Sequence, residues 1–183
     1  MSFADKLSIA RIILIPFFVS LLIYSRYHSI LRYFALGVFV VAVLSDFFDG
    51  LVARIKKEKS KFGKVIDPLA DKLLLIISFI SLYFLKFAIP LWVVIIIVSR
   101  DLIILLGVVV LNFLKIDITI SPSIWGKLTT FFQMFTILIV LIEKELKLAP
   151  YTWSLAIFFT IVSGMGYIFR GIKTINLNTN QRL

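Results

Sequence analysis

The chain has 183 residues, 61% hydrophobic and 15% aromatic, with 20 Lys and Arg against 10 Asp and Glu for a formal net charge of +10. An apolar share well above the roughly 45–50% of soluble proteins, with a mean hydropathy of +1.05, excludes an ordinary soluble domain and reads as an all-α, polytopic integral membrane protein. The absence of cysteine excludes disulfides and thiolate metal sites.

A spanning helix needs about 20 residues, and the hydrophobic pattern predicts six: 8–24, 31–54, 65–85, 89–114, 124–142 and 152–170. They make one domain over residues 1–175, followed by a polar tail at 176–183 that is expected to fray. The first segment has no small-x-small cleavage pattern and keeps Pro16, so it reads as a retained helix and not as a signal peptide. Basic residues are distributed unevenly among the connections. With the amino terminus inside, thirteen fall on the cytoplasmic side, Lys56, Lys57, Lys59, Lys61 and Lys64 among them, and five on the other. The positive-inside rule then places both termini in the cytoplasm of an inner-membrane protein. This distribution accounts for the net charge by topology and lipid contact, so no nucleic-acid partner is expected.

The second and third segments carry Asp46, Asp49, Asp67 and Asp71. Carboxylates in membrane-like sequence are expensive to bury and are by default functional. On helices, Asp46, Asp49, Gly50 and Ala53 share one face at i, i+3, i+4 and i+7. Gly63, Asp67 and Asp71 share another at i, i+4 and i+8. Two such faces, joined by a short basic link that lets the helices pack antiparallel, would make an oxygen-only cage suited to Mg²⁺ or Mn²⁺. Arg54 adds a fork for phosphate oxygens. The plainer alternative is that the aspartates pair with Arg54, Lys64 and Lys72 near the membrane surface.

The run Asp46-x-x-Asp49-Gly50-x-x-Ala53-Arg54, eight residues, Gly63-x-x-x-Asp67-x-x-x-Asp71 resembles, at all eight fixed positions, the signature of the CDP-alcohol phosphatidyltransferases. The resemblance implies a six-helix membrane fold, a homodimer, and transfer of the phosphatidyl group of CDP-diacylglycerol to an alcohol with release of CMP. It also implies that Asp46, Asp49, Asp67 and Asp71 hold the metal, with Asp71 the general base. Asp46, Asp49, Gly50, Ala53, Arg54, Gly63 and Asp67 would form the CDP-binding surface.

Within that family the chain most resembles the phosphatidylglycerophosphate synthases, which implies glycerol 3-phosphate as acceptor. The likeness runs through Leu7-Ser-Ile-Ala-Arg11, Leu14-Ile-Pro-Phe-Phe18, Ser99-Arg100-Asp101 and Gly126-Lys127-Leu-Thr-Thr130-Phe-Phe-Gln133-Met134. Arg100, Lys127 and Arg11 are the candidates for the acceptor phosphate. Arg100 has a purely structural alternative, a pair with Asp101. Thr129 stands where a second lysine is usual, and restoring lysine there is expected to be tolerated. Two other readings stay open: a cardiolipin synthase of the same family that accepts phosphatidylglycerol, and a cation or proton transporter using the aspartates as an ion path.

Overall fold

The computed structural model describes residues 3–56, 63–113, 124–143 and 147–180, with side chains described over 9–45, 70, 72–107, 124–143, 147–167 and 169. Among the described residues there are six helices and no strand: α1 Phe3–Tyr24, α2 Ile30–Lys56, α3 Gly63–Phe84, α4 Leu91–Phe113, α5 Ile124–Ile142 and α6 Ala149–Asn180. The apolar runs thus become the helices the hydropathy pattern predicts. The largest boundary differences are the start of α1, at Phe3 and not residue 8, and the end of α6. Helix α6 continues through residues 176–180, which the polar composition marked as a tail, because no Gly or Pro follows Gly171 to stop propagation.

Short connections fix neighbours. Between α1 and α2 the backbone turns within Ser25–Ser29, where Ser25 N donates to Leu21 O (2.9 Å) and Leu31 N to His28 O (3.0 Å). Helix α3 ends with Lys86 in the left-handed region (φ 60°). Lys86 N donates to Tyr83 O and Phe87 N to Leu82 O, both at 2.9 Å. This is the paired 6→1 and 5→2 termination that glycine usually serves. Arg26 Nη2 donates to Phe84 O at 3.0 Å, tying the end of α1 to the end of α3.

Helix α1 packs against both α2 and α3, α3 against α4, α4 against α6, and α5 against α6 and α2. Among the described residues α1 and α5 each pack on both α2 and α3; the expected antiparallel packing of the two aspartate faces on one another lies outside the described side chains. Ala35 and Ala42, two turns apart on α2 and fully buried, present no bulk, so that Phe18 of α1 can meet Phe39 at 5.7 Å between ring centroids. Phe79, Leu82, Ile97, Ile137 and Leu141 continue that core across the other helices.

The polarity of the surface is that of a protein in lipid. Phe17, Phe34, Val41, Leu106, Phe131 and Phe158 are exposed, whereas Arg11, Asp101, Thr129, Gln133, Thr160 and Ser163 are buried. Among the described residues, Ile124–Ile142 is the one helix that is by itself both long and apolar enough to cross a membrane; shorter apolar stretches cover Ile9–Tyr24, Ile30–Ser45 and Lys72–Phe84.

Candidate active site

Helical backbone runs unbroken through Asp46–Arg54 on α2 and Gly63–Asp71 on α3. That is the condition on which the one-face spacing of the aspartates depends. The side chains of Asp46, Asp49, Gly50, Ala53, Arg54, Gly63, Asp67 and Asp71 lie outside the described residues, as does the basic link at 57–62. Both stretches flank this link, so they belong to one end of the bundle. Among the described residues, no three His, Asp or Glu side chains gather as metal ligands.

Helix register shows what else lies at this level. Tyr24, Ile30 and Phe84 mark one end of α1, α2 and α3, with the Arg26–Phe84 bond holding two of these ends together. Thirteen residues back from Tyr24 is Arg11, about 20 Å up the bundle at 1.5 Å per residue. The same climb reaches the turn before Asp46 on α2 and Asp71 on α3. Arg11, from a helix packed on both carriers of the aspartates, is only 1% exposed.

Next to Asp71 the polar level continues across the other helices. Lys72 Nζ lies 3.6 Å from Asp101 Oδ1 and 3.3 Å from Thr130 Oγ1. Arg100 Nη1 donates to the same Asp101 oxygen at 2.5 Å, and Nη2 donates to Ser163 Oγ at 2.6 Å. One carboxylate therefore holds two cations where α3, α4, α5 and α6 meet. Its side chain is fully buried, while those of Lys72 and Arg100 are 16% and 10% exposed. Asp101 Oδ2 and Arg100 Nε make no hydrogen bond among the described residues.

Gly126 of α5 and Gly164 of α6 face Arg100 at ordinary contact distance. A Cβ at Gly164 would stand 3.4 Å from Arg100 Cγ, and one at Gly126 would stand 3.8 Å from Nη2. On the outer side of α4 and α6 a cavity of about 250 Å³, lined by Ile103, Ile104, Ile161 and Met165 among others, reaches the arginine. The guanidinium itself is turned inward, to Asp101 and Ser163.

Of the three predicted acceptor residues, Arg11 is buried and Arg100 partly buried at this polar level, and the pairing of Arg100 with Asp101 is formed. Lys127 is exposed on α5 and makes no described contact with the Arg100 cluster. Thr129 corrects an expectation. It is fully buried, with its hydroxyl 2.9 Å from Trp125 O and 2.8 Å from Phe159 O, in an α5–α6 seam where Phe132 and Phe159 stack at 4.7 Å. A lysine there would enter a packed helix interface and not a phosphate pocket. Sequence reasoning named Lys72 only as a surface partner of the aspartates and gave Thr130 and Ser163 no site role. The available signal was Lys72 itself, an ammonium in an apolar helix that needs a partner.

Comparison with known proteins identifies the family. The family model for CDP-alcohol phosphatidyltransferase matches residues 1–163. The chain is 34% identical over 177 residues to a probable phosphatidylglycerophosphate synthase of Mycobacterium tuberculosis (strain H37Rv), covering 94% of this chain and 82% of the relative. It is 33% identical over 182 residues to the CDP-diacylglycerol–glycerol-3-phosphate 3-phosphatidyltransferase of Rickettsia typhi, covering 93% and 96% of the two chains. To the Bacillus subtilis protein of that name it is 31% identical over 193 residues, covering 94% and 97%. With the signature on two unbroken helices and the family match spanning nearly the whole chain, this protein belongs to the CDP-alcohol phosphatidyltransferase family.

Proposed function

We propose that the protein makes phosphatidylglycerol phosphate for phospholipid biosynthesis by transferring the phosphatidyl group of CDP-diacylglycerol to glycerol 3-phosphate, releasing CMP. The observation that carries the acceptor is the partly buried cluster of Lys72, Arg100 and Asp101, which among the described residues has two cations for one carboxylate. A dianionic phosphate monoester is a natural complement to such an excess of positive charge. The names of the relatives point to the same acceptor. The usual second lysine is absent at position 129, but in this chain that position faces α6, which removes the main objection to glycerol 3-phosphate.

Asp46, Asp49, Asp67 and Asp71 would hold Mg²⁺ or Mn²⁺. The donor set fits: four hard carboxylate groups on two continuous helices, in a chain without thiolates. Bound there, the ion offsets the charge of the diphosphate and polarises the phosphorus. Asp46, Asp49, Gly50, Ala53, Arg54, Gly63 and Asp67 form the CDP surface, with Arg54 on a phosphate. Asp71 accepts the proton as the acceptor hydroxyl oxygen bonds to the phosphatidyl phosphorus. The bond from that phosphorus to the bridging oxygen breaks, and CMP departs with the oxygen. Arg100 and Arg11 orient the acceptor, and Lys127 at the exposed rim attracts it. The enzyme works as a homodimer among inner-membrane lipids, with six spans and with its termini and site on the cytoplasmic side; the charge distribution and the family likeness support this.

An acceptor panel tests the reading. Purified protein with CDP-diacylglycerol and Mg²⁺ is expected to convert glycerol 3-phosphate to phosphatidylglycerol phosphate. Cardiolipin formed from phosphatidylglycerol, with no product from glycerol 3-phosphate, would overturn the acceptor and keep the family.

A further inference from the structure

We infer that Lys72 is the second cation of the acceptor-phosphate subsite, gripping the phosphate monoester together with Arg100, and that Asp101 is the residue that positions both. The inference rests on the acceptor reading above.

Geometry makes the first argument. Lys72 Nζ and Arg100 Nη1 approach the same oxygen, Asp101 Oδ1, at 3.6 Å and 2.5 Å, so an ammonium from α3 and a guanidinium from α4 converge on one point. Phosphate oxygens take charge-assisted bonds from such a pair, the guanidinium supplying a fixed fork and the ammonium a compact charge. Neither cation is saturated by the described residues. An ammonium has three donors, and Lys72 uses them on a carboxylate at 3.6 Å and a hydroxyl at 3.3 Å, both long contacts. Arg100 keeps Nε without a hydrogen bond among the described residues.

Charge makes the second. Among the described residues two cations share one carboxylate, and a charge left uncompensated in an apolar bundle is strongly unfavourable. An arriving dianion would relieve that excess. Access runs the right way, because Asp101 is sealed in while the Lys72 side chain keeps 16% exposure.

Position makes the third. Lys72 follows Asp71, the proposed base, and consecutive Cα atoms are about 3.8 Å apart. A phosphate held by Lys72 keeps the glycerol of the same small molecule at the level where its hydroxyl must lose a proton. The two alternatives for a second cation are less suited: position 129 is a buried threonine facing α6, and Lys127 is exposed, with no described contact to Asp101 or Arg100.

The test uses full-length protein purified into nanodiscs, with saturating CDP-diacylglycerol and Mg²⁺ and varied glycerol 3-phosphate. Lys72→Met keeps the length and removes the charge. It is expected to raise KM for glycerol 3-phosphate about ten- to hundredfold, to weaken competitive inhibition by inorganic phosphate in parallel, and to leave KM for CDP-diacylglycerol within about twofold of wild type. Lys72→Arg should recover most of the loss. If Lys72→Met fails to fold, Thr130→Val, which removes the hydroxyl beside the ammonium, takes its place and should raise the same KM severalfold. An unchanged KM and phosphate inhibition in these variants, or a rise in the CDP-diacylglycerol KM instead, would overturn the assignment. Wild-type protein that makes no product from glycerol 3-phosphate would sink the acceptor reading itself, and this assignment with it.

Discussion

An amide in place of a carboxylate keeps the shape of a side chain and removes both its charge and its capacity to take a proton. Asp71→Asn is therefore expected to lower turnover by about 10²- to 10⁴-fold, measured as CMP release at saturating substrates; near-normal turnover would remove Asp71 from the base role. Thr129 supports a different expectation. Its hydroxyl sits between two carbonyls in a closed α5–α6 seam, so Thr129→Lys places an unpaired ammonium in packed, apolar surroundings at about 2.5–3.5 kcal/mol. Thermal unfolding of the purified variant should show a clearly lowered Tm, whereas an unchanged Tm with a lower acceptor KM would return position 129 to the phosphate site. At this scale the eight signature positions and the paired Arg100 were legible in the sequence, since spacing and a charge within an apolar run are local facts. The Lys72–Asp101 contact was not, because it joins residues from two helices and no periodicity within either one encodes it.

Among the elements, the hydropathy pattern located all six helices found among the described residues, and it did so because each is an apolar run bounded by turn or charged residues. It could not show that α1 packs on both α2 and α3, since helix order in space is set by complementary surfaces such as the Ala35–Ala42 stripe. Nor did it foresee the role of Arg32. From α2, Arg32 Nη2 donates to Val140 O and Glu143 O at the end of α5, and its guanidinium lies 5.1 Å from the Phe87 ring centroid. One side chain thereby satisfies carbonyls that a helix end leaves open and adds a cation–π contact. Arg32→Ala is expected to destabilise the fold by about 2–3 kcal/mol, read as a fall in Tm of the purified protein with little change in the KM of either substrate. A variant as stable as wild type would show that α5 terminates without it.

For the whole molecule, the central features are an apolar exterior, a polar level at the height of Arg11, Lys72 and Asp101, and a strong bias of basic residues to one side of the proposed membrane. Topology follows from the bias: single cysteines at Ser60 and Gln181 should resist impermeant thiol reagents in intact cells, and one at Ser29 should react. The inverse pattern would put the site on the face away from cytosolic nucleotide substrates. The central claim is that carboxylates on α2 and α3 support phosphatidyl transfer from CDP-diacylglycerol, and its most direct measurement is CMP release by purified wild-type protein, followed with glycerol 3-phosphate before and after chelation of divalent cations. The account predicts CMP equal in amount to phosphatidylglycerol phosphate, loss of both on chelation and recovery of both with Mg²⁺ or Mn²⁺. CMP release that continues undiminished in the chelated enzyme would contradict it.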